Sequence, residues 1–273
     1  MTDEPSSRRI HLDVQDVRLT RGSRKVFEGL SCVFPKGEIS VVLGPSGEGK
    51  TTLLRMIACL GKPDSGEIWL DGETELTCMP EHQAKDFRSH IGMMFQGGAL
   101  LDAMTVFDNV ALPLREHTSM SEGEIAREVD GVFDSVGLVD VDKLMPRELS
   151  GGMTRRAALA RALILKPDIL LCDEPFSGLD PATVRLVESL LVEVNRRLGI
   201  TMIITSHDIA STLRLAAWTV LLAEGSAISG LPVELRHSPD PRVKHFFIND
   251  EPVPRGGGTA VHGRTPGAGE TRL

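Results

Sequence analysis

The stretch GPSGEGKT, Gly44 to Thr51, restricts this chain more than any other. It fits the pattern G-x-x-x-x-G-K-[ST], and its flanks fit too: the apolar run Ile39 to Leu43 precedes it and the helix-like TTLLRMIACL follows. Strand, glycine loop and helix in that order turn a string match into a phosphate site. Glycines at 44, 47 and 49 let the backbone turn tightly and aim successive N–H groups inward. A triphosphate on those donors sits at the positive end of the following helix dipole. Lys50 adds a point charge for the β and γ phosphates, and the Thr51 hydroxyl is placed to ligate Mg²⁺.

The chain's 273 residues suffice for one large α/β domain with a good core, or for a core plus a small subdomain. A net charge of −8 argues against a general nucleic-acid binder, because no basic field would release counterions from a phosphate backbone. Attraction for a nucleotide must then be local. Cys32, Cys59, Cys78 and Cys172 are far apart and form no CxxC pair, which favours reduced, mostly buried thiols over metal ligands or disulfides. The opening MTDEPSSRRIHLDVQD has no apolar h-region, so it does not read as a signal peptide. No apolar run approaches the roughly 18 residues needed to cross a bilayer, so any path through a membrane is expected from another chain.

Near alternation of apolar and polar residues over 10–34 predicts two or three antiparallel strands. A turn at Pro63 to Gly66 leads to the short strand EIWLDG, then a helix around Pro80 to Arg88, then the strand IGMMF running into Gln96. From Gly97 to Glu148 strands stop. VFDNVALPL and SEGEIAREVDGVFDSVGL have helical spacing, and Ser121 with Glu124 forms a capping box, so 97–148 is expected to be a helical subdomain. LSGGM opens a further helix with Ser150 as N-cap, and Met153, Ala157, Ala160 and Ile164 form one apolar stripe. DILLCDE reads as a short buried strand ending in Asp173 and Glu174, at the strand end where an open α/β sheet binds ligands. ITMIIT delivers Ser206-His207-Asp208 to the same rim. Two closing strands are expected over 217–230, a terminal helix from Pro241, and a disordered tail over 249–273, rich in Gly and Pro.

These motifs in this order resemble the ATP-binding subunits of ABC transporters, over about Ile10 to Phe247. GPSGEGKT looks like the Walker A loop, Gln96 the Q-loop glutamine, LSGGM the signature, ILLCDE the Walker B strand, SGLD (Ser177 to Asp180) the D-loop and His207 the switch histidine. The resemblance implies an α/β P-loop NTPase fold, with a RecA-like core, an antiparallel β subdomain and an inserted α-helical subdomain, together spanning 8–248. It implies ATP and Mg²⁺ as cofactors. ATP would be held by Gly44, Pro45, Ser46, Gly47, Glu48, Gly49, Lys50, Thr51 and Thr52 of one subunit and by Ser150, Gly151 and Gly152 of the other, in a head-to-tail homodimer with two competent sites. Glu174 would be the general base, with Lys50, Gln96 and His207 completing the catalytic set; Thr51, Gln96 and Asp173 would serve the metal.

Two positions depart from the family pattern. Where an aromatic usually stacks on adenine, alignment places Arg21, and the chain has no tyrosine; a guanidinium can stack on a base, and Phe27 is a weaker candidate. Met153 stands where the signature usually has glutamine, and it cannot repeat the amide's hydrogen bonds.

Within the family, GALLDAMTVFDNVALPLREHT, KLMPRELSGGMTRRAALARA and SPDPRVKHFF resemble the MlaF type. That resemblance implies an ATPase on the cytoplasmic face of the bacterial inner membrane, energising phospholipid movement that maintains outer-membrane lipid asymmetry, with an MlaE-like permease and an MCE-domain (MlaD-like) partner. The permease's coupling helix would dock within Gln96 to Val110. An ATPase of an importer for amino acids or another small solute is the alternative. A non-transport ABC protein acting on DNA or ribosomes is expected to carry long coiled coils between loop and signature, where this sequence has only about 100 residues without sustained heptads, or a second cassette, whereas 273 residues hold one.

Overall fold

Alternation along five short strands decides how this protein is layered. The computed structural model describes residues 8 to 248. In chain order the elements are β1 (Ile10–Arg21), β2 (Arg24–Pro35), β3 (Ile39–Leu43), α1 (Lys50–Ile57), β4 (Ser65–Leu70), β5 (Thr74–Glu75), α2 (Glu81–Arg88), β6 (Ile91–Met94), α3 (Val106–His117) and α4 (Glu122–Val136). They continue with α5 (Gly151–Leu163), β7 (Ile169–Cys172), α6 (Pro181–Leu198), β8 (Thr201–Ser206), α7 (Ile209–Leu215), β9 (Trp218–Ala223), β10 (Ser226–Gly230), α8 (Pro232–Arg236) and α9 (Pro241–Ile248).

One sheet is antiparallel, in the order β2-β1-β4-β5. The other runs β10-β9-β3-β8-β7-β6 and is parallel throughout except for the β9–β10 pair. Its central strands are apolar on both faces, as a sheet covered on both sides requires. Ile39, Val41, Leu43, Leu170, Cys172, Met202 and Ile204 join a core with residues of α3, α4, α5 and α6. Their alternates Val42, Ile169, Leu171 and Ile203 face the opposite core, made with α1 and the antiparallel sheet. This is the α/β P-loop NTPase architecture with an antiparallel β layer and inserted helices.

The inserted helices form as their ends dictate. The Thr105 side chain caps α3 by accepting from the Asp108 N–H, and Ser121 with Glu124 makes the expected capping box on α4, which ends at Gly137 in the left-handed region. The apolar spacing Ile125, Val129, Phe133, Val136 is buried, against α5. Asn109, fully buried, accepts from the Leu101 N–H and donates to the Leu101, Met104 and Thr105 carbonyls, tying the loop ahead of α3 to the helix. Some boundaries differ from expectation. The strand before Gln96 stops at Met94 and leaves Phe95 exposed. The two short helices α7 and α8 were not legible as periodic segments. The four cysteines are free, Cys32 and Cys172 buried but Cys78 exposed; burial pushes the Cys172 thiol up to about 12. The expected tail over 249–273 lies outside the described residues.

Candidate nucleotide site

The carboxyl ends of parallel strands are where an α/β sheet leaves a crevice. Four of them end here in a chemically pointed residue. Gly44 follows β3, Asp173 and Glu174 follow β7, His207 follows β8, and Gln96 lies two residues beyond β6. Because β8 lies between β3 and β7, the three expected contributors come to one rim.

The glycine loop leads into α1 with Gly49 as N-cap at φ 94°, a left-handed conformation. Glycine is needed there twice over, since a Cβ would stand 2.7 Å from the Phe27 ring. The Lys50 ammonium is buried and donates to the carbonyls of Gly44 at 2.8 Å and Pro45 at 3.2 Å. It also lies 3.4 Å from Glu174 Oε1. His207 Nδ1 approaches the same oxygen at 3.6 Å. Ser46, Gly47, Gly49, Lys50, Thr51, Thr52, Gln96 and Glu174 line one cavity of about 290 Å³. Pro45, Glu48 and His207 line its larger neighbour against α9.

The acids are held by hydroxyls. Thr51 Oγ1 donates to Asp173, 2.8 Å from Oδ2 and 3.1 Å from Oδ1. Thr205, fully buried on β8, donates to Asp173 Oδ1 at 2.7 Å and accepts from the Glu174 N–H at 2.8 Å. Glu174 itself sits at φ 44°, in the left-handed region that is costly for a residue with a side chain. Strain of this kind persists where surroundings over-determine it, and here it sets the carboxylate beside Lys50 and His207. Thr205 was not singled out in the sequence; its place one strand over from the acids depends on the strand order.

Ser150, Gly151 and Gly152 are not brought to this cavity. Ser150 caps α5 as expected, its hydroxyl accepting from the Met153 N–H at 3.3 Å. The three residues line a different cavity, of about 330 Å³, with Gly178, Leu179 and Asp180. One chain therefore carries two separate halves: a phosphate loop with acids, and a helix N-terminus beside a loop.

Arg21 and Phe27, the two residues expected to meet a base, are placed differently. Arg21 pairs across the hairpin with Arg24 through the strand ladder, while its side chain makes no hydrogen bond or ion pair with the described residues. Arg24 is the one that reaches the glycine loop, donating from Nη2 to the Gly47 carbonyl at 2.8 Å. Phe27 is only 2% exposed, packed beneath Gly49, and offers no ring face to a base.

A phosphate loop, paired acids two strands away across β8, and a glutamine and a histidine closing the rim define a P-loop nucleotide hydrolase with an inserted helical region. Residues 27–177 match the ABC transporter family model, and the chain belongs to that family as one of its ATP-hydrolysing cassettes. Among known proteins it is similar to the intermembrane phospholipid transport system ATP-binding protein MlaF of Escherichia coli K12, with 46% identity over 89% of this chain and 91% of that one. It is 40% identical to the MlaF of Haemophilus influenzae, over 89% of this chain and 92% of the relative. Among solved structures it resembles the ATP-binding cassette MJ0796, in a dimeric post-hydrolysis state bound to ADP and Pi, with TM-score 0.74 and 28% identity over 81% of this chain and 98% of that one.

Proposed function

We propose that this chain is the ATP-binding, ATP-hydrolysing subunit of a phospholipid transport system. It works as a head-to-tail homodimer on the cytoplasmic face of the inner membrane, with an MlaE-like permease and an MCE-domain partner. The observation that carries the substrate reading is the 46% identity with MlaF, extending over nearly the whole of both chains. No helix among the described residues is long and apolar enough to cross a membrane, which fits a subunit that drives a path built by another chain.

Chemistry follows from the side chains. Backbone N–H groups from Gly44 to Thr52 and the N-terminus of α1 hold the β and γ phosphates, with Lys50 as their point charge. Its contact with Glu174 gives way to phosphate when nucleotide enters. The Thr51 hydroxyl and the Asp173 carboxylate, already 2.8 Å apart, are hard oxygen donors of the kind Mg²⁺ takes, with Gln96 beside them. Bound there, Mg²⁺ would neutralise charge on the phosphate oxygens. Glu174 accepts the proton of the attacking water, Gln96 orients that water, and His207 reaches the γ-phosphate. Ser150, Gly151 and Gly152 of the partner complete the site, so nucleotide binding and closure of the dimer are one event. The adenine-facing contact is assigned to Arg21.

A pull-down of the tagged protein from gently solubilised membranes, with bound chains identified by mass spectrometry, tests the assembly. An MlaE-like permease and an MCE protein are expected; a different permease with a periplasmic solute-binding protein would leave the nucleotide chemistry standing and overturn the lipid reading.

A further inference from the structure

Arg155 lies one turn into α5, behind the signature residues, and only 8% of it is exposed. Among the described residues it has no carboxylate partner. Its Nε–H donates to the Pro175 carbonyl at 3.0 Å and its Nη2–H to the Ser177 carbonyl at 2.7 Å. A buried cation is costly unless its donors are matched, and this one spends its fork on two main-chain oxygens of the loop that leads from Glu174 to α6. A guanidinium holds both at once because its donors are coplanar and rigid; an ammonium is a single point.

The first turn of α5 packs on the same loop. A Cβ on Gly151 would stand 3.2 Å from Leu179 Cδ2, and one on Gly152 3.0 Å from Thr183 Cγ2. These glycines thus admit the 177–180 loop and α6 against the helix, whatever else they do. On its other side α5 is held by Arg161, which donates to the Gly98 and Ala99 carbonyls just beyond Gln96. One helix is therefore clamped at one flank to the loop after Gln96 and at the other to the loop after Glu174.

We infer that Arg155 is a positioning residue for hydrolysis: it locks the 177–180 loop to the first turn of its own signature helix, so that both surfaces one subunit presents to its partner move as one unit. This rests on the head-to-tail reading above. Motion imposed on the loop after Gln96 then reaches the 177–180 loop through α5, without passing through the nucleotide.

Two measurements test it. In hydrogen–deuterium exchange of the full chain, Arg155→Lys keeps the charge but loses the fork. Peptides covering 177–180 and the first turn of α5 should exchange at least tenfold faster, while those covering 44–52 stay at the wild-type rate, because only the local opening is affected. In the transporter complex, Arg155→Lys should lower kcat by up to about 10²-fold, the order expected for a misplaced contact of about 1 Å, with KM changed less than about twofold. Arg155→Gln should behave alike, and its thermal melt shows whether it folds. Wild-type exchange at 177–180 together with wild-type kcat in Arg155→Lys would overturn the inference. ATP-driven dimerisation of Glu174→Gln separates the two levels. If that variant stays monomeric, the head-to-tail reading falls, and exchange at 177–180 alone decides whether Arg155 is the anchor.

Discussion

Replacing Thr205 by valine removes one hydroxyl and almost nothing else. Valine has nearly the same shape and suits a strand, so β8 should form unchanged. The deleted oxygen, however, serves both acids: it donates to Asp173 at 2.7 Å and accepts from the Glu174 N–H at 2.8 Å, in a fully buried position. A hydrogen bond to a charged group contributes about 1.5–3 kcal/mol, and a buried donor left without a partner costs about 1–3 kcal/mol. The two share one atom and do not simply add, so we expect about 2–4 kcal/mol of lost stability. Catalysis should suffer separately. Glu174 is held in a left-handed conformation, worth about 1–2 kcal/mol of strain, and the Thr205 contact is one of the restraints that keeps it there. Once it is gone the carboxylate relaxes away from Lys50 and His207, and a shift on the order of 1 Å lowers turnover by about 10–10²-fold. Urea unfolding gives the first quantity and hydrolysis at saturating ATP the second. Thr205→Ser should restore most of both. A Thr205→Val protein with the wild-type urea midpoint and the wild-type rate would refute the role given to this hydroxyl.

Lys50→Ala removes the only ammonium among the glycine-loop residues and should weaken nucleotide binding at least about tenfold, in line with about 1.5–3 kcal/mol for a bond to a charged group; titration of a fluorescent ATP analogue reads this directly. Glu174→Gln should bind ATP at near wild-type affinity but turn over about 10²–10⁴-fold more slowly and accumulate as a closed dimer; hydrolysis at the wild-type rate would remove Glu174 as the base. Away from the site, burial pushes the His11 imidazole below its ordinary value, with Asp71 and Asp168 opposing and Lys36 and Arg9 assisting. The unfolded chain then binds the proton more readily than the folded one, so this contribution is complete above the ordinary value of 6.5 and is lost as the pH falls below it. Urea midpoints of the wild type should therefore drop more steeply below about pH 6.5 than those of His11→Phe, and parallel pH profiles would show that the buried imidazole is not responsible.

Features carried by local rules could be read from the sequence. The strand–glycine loop–helix order around Gly44, the Ser121–Glu124 capping box, the Ser150 cap and the four-residue buried strand before Asp173 all depend on neighbours within a few positions. What escaped depends on the order of strands and on residues distant in the chain. Thr205 meets the acids only because β8 lies between β3 and β7. Arg155 looks like one more charge on a helix until the loop at Ser177 folds over it. Arg24 reaches Gly47 because the hairpin turns between Arg21 and Arg24, a register that alignment of a single position does not supply. Of the apolar stripe expected on and just after α5, Ala157, Ala160 and Ile164 are buried, whereas Met153 is only partly covered. The short helix α8, five residues opening at Pro232, has too few turns for periodicity to register.

The central claim is that ATP spent at this site moves phospholipid. The direct measurement is transfer of a fluorescent phospholipid by the purified complex of this chain with its membrane partners, reconstituted in vesicles, with ATP and with the same complex carrying Glu174→Gln. ATP-dependent lipid movement in the first and none in the second is the expected result. Steady ATP hydrolysis by the wild-type complex without any movement or extraction of phospholipid would contradict it, leaving the nucleotide site intact and the cargo wrongly assigned.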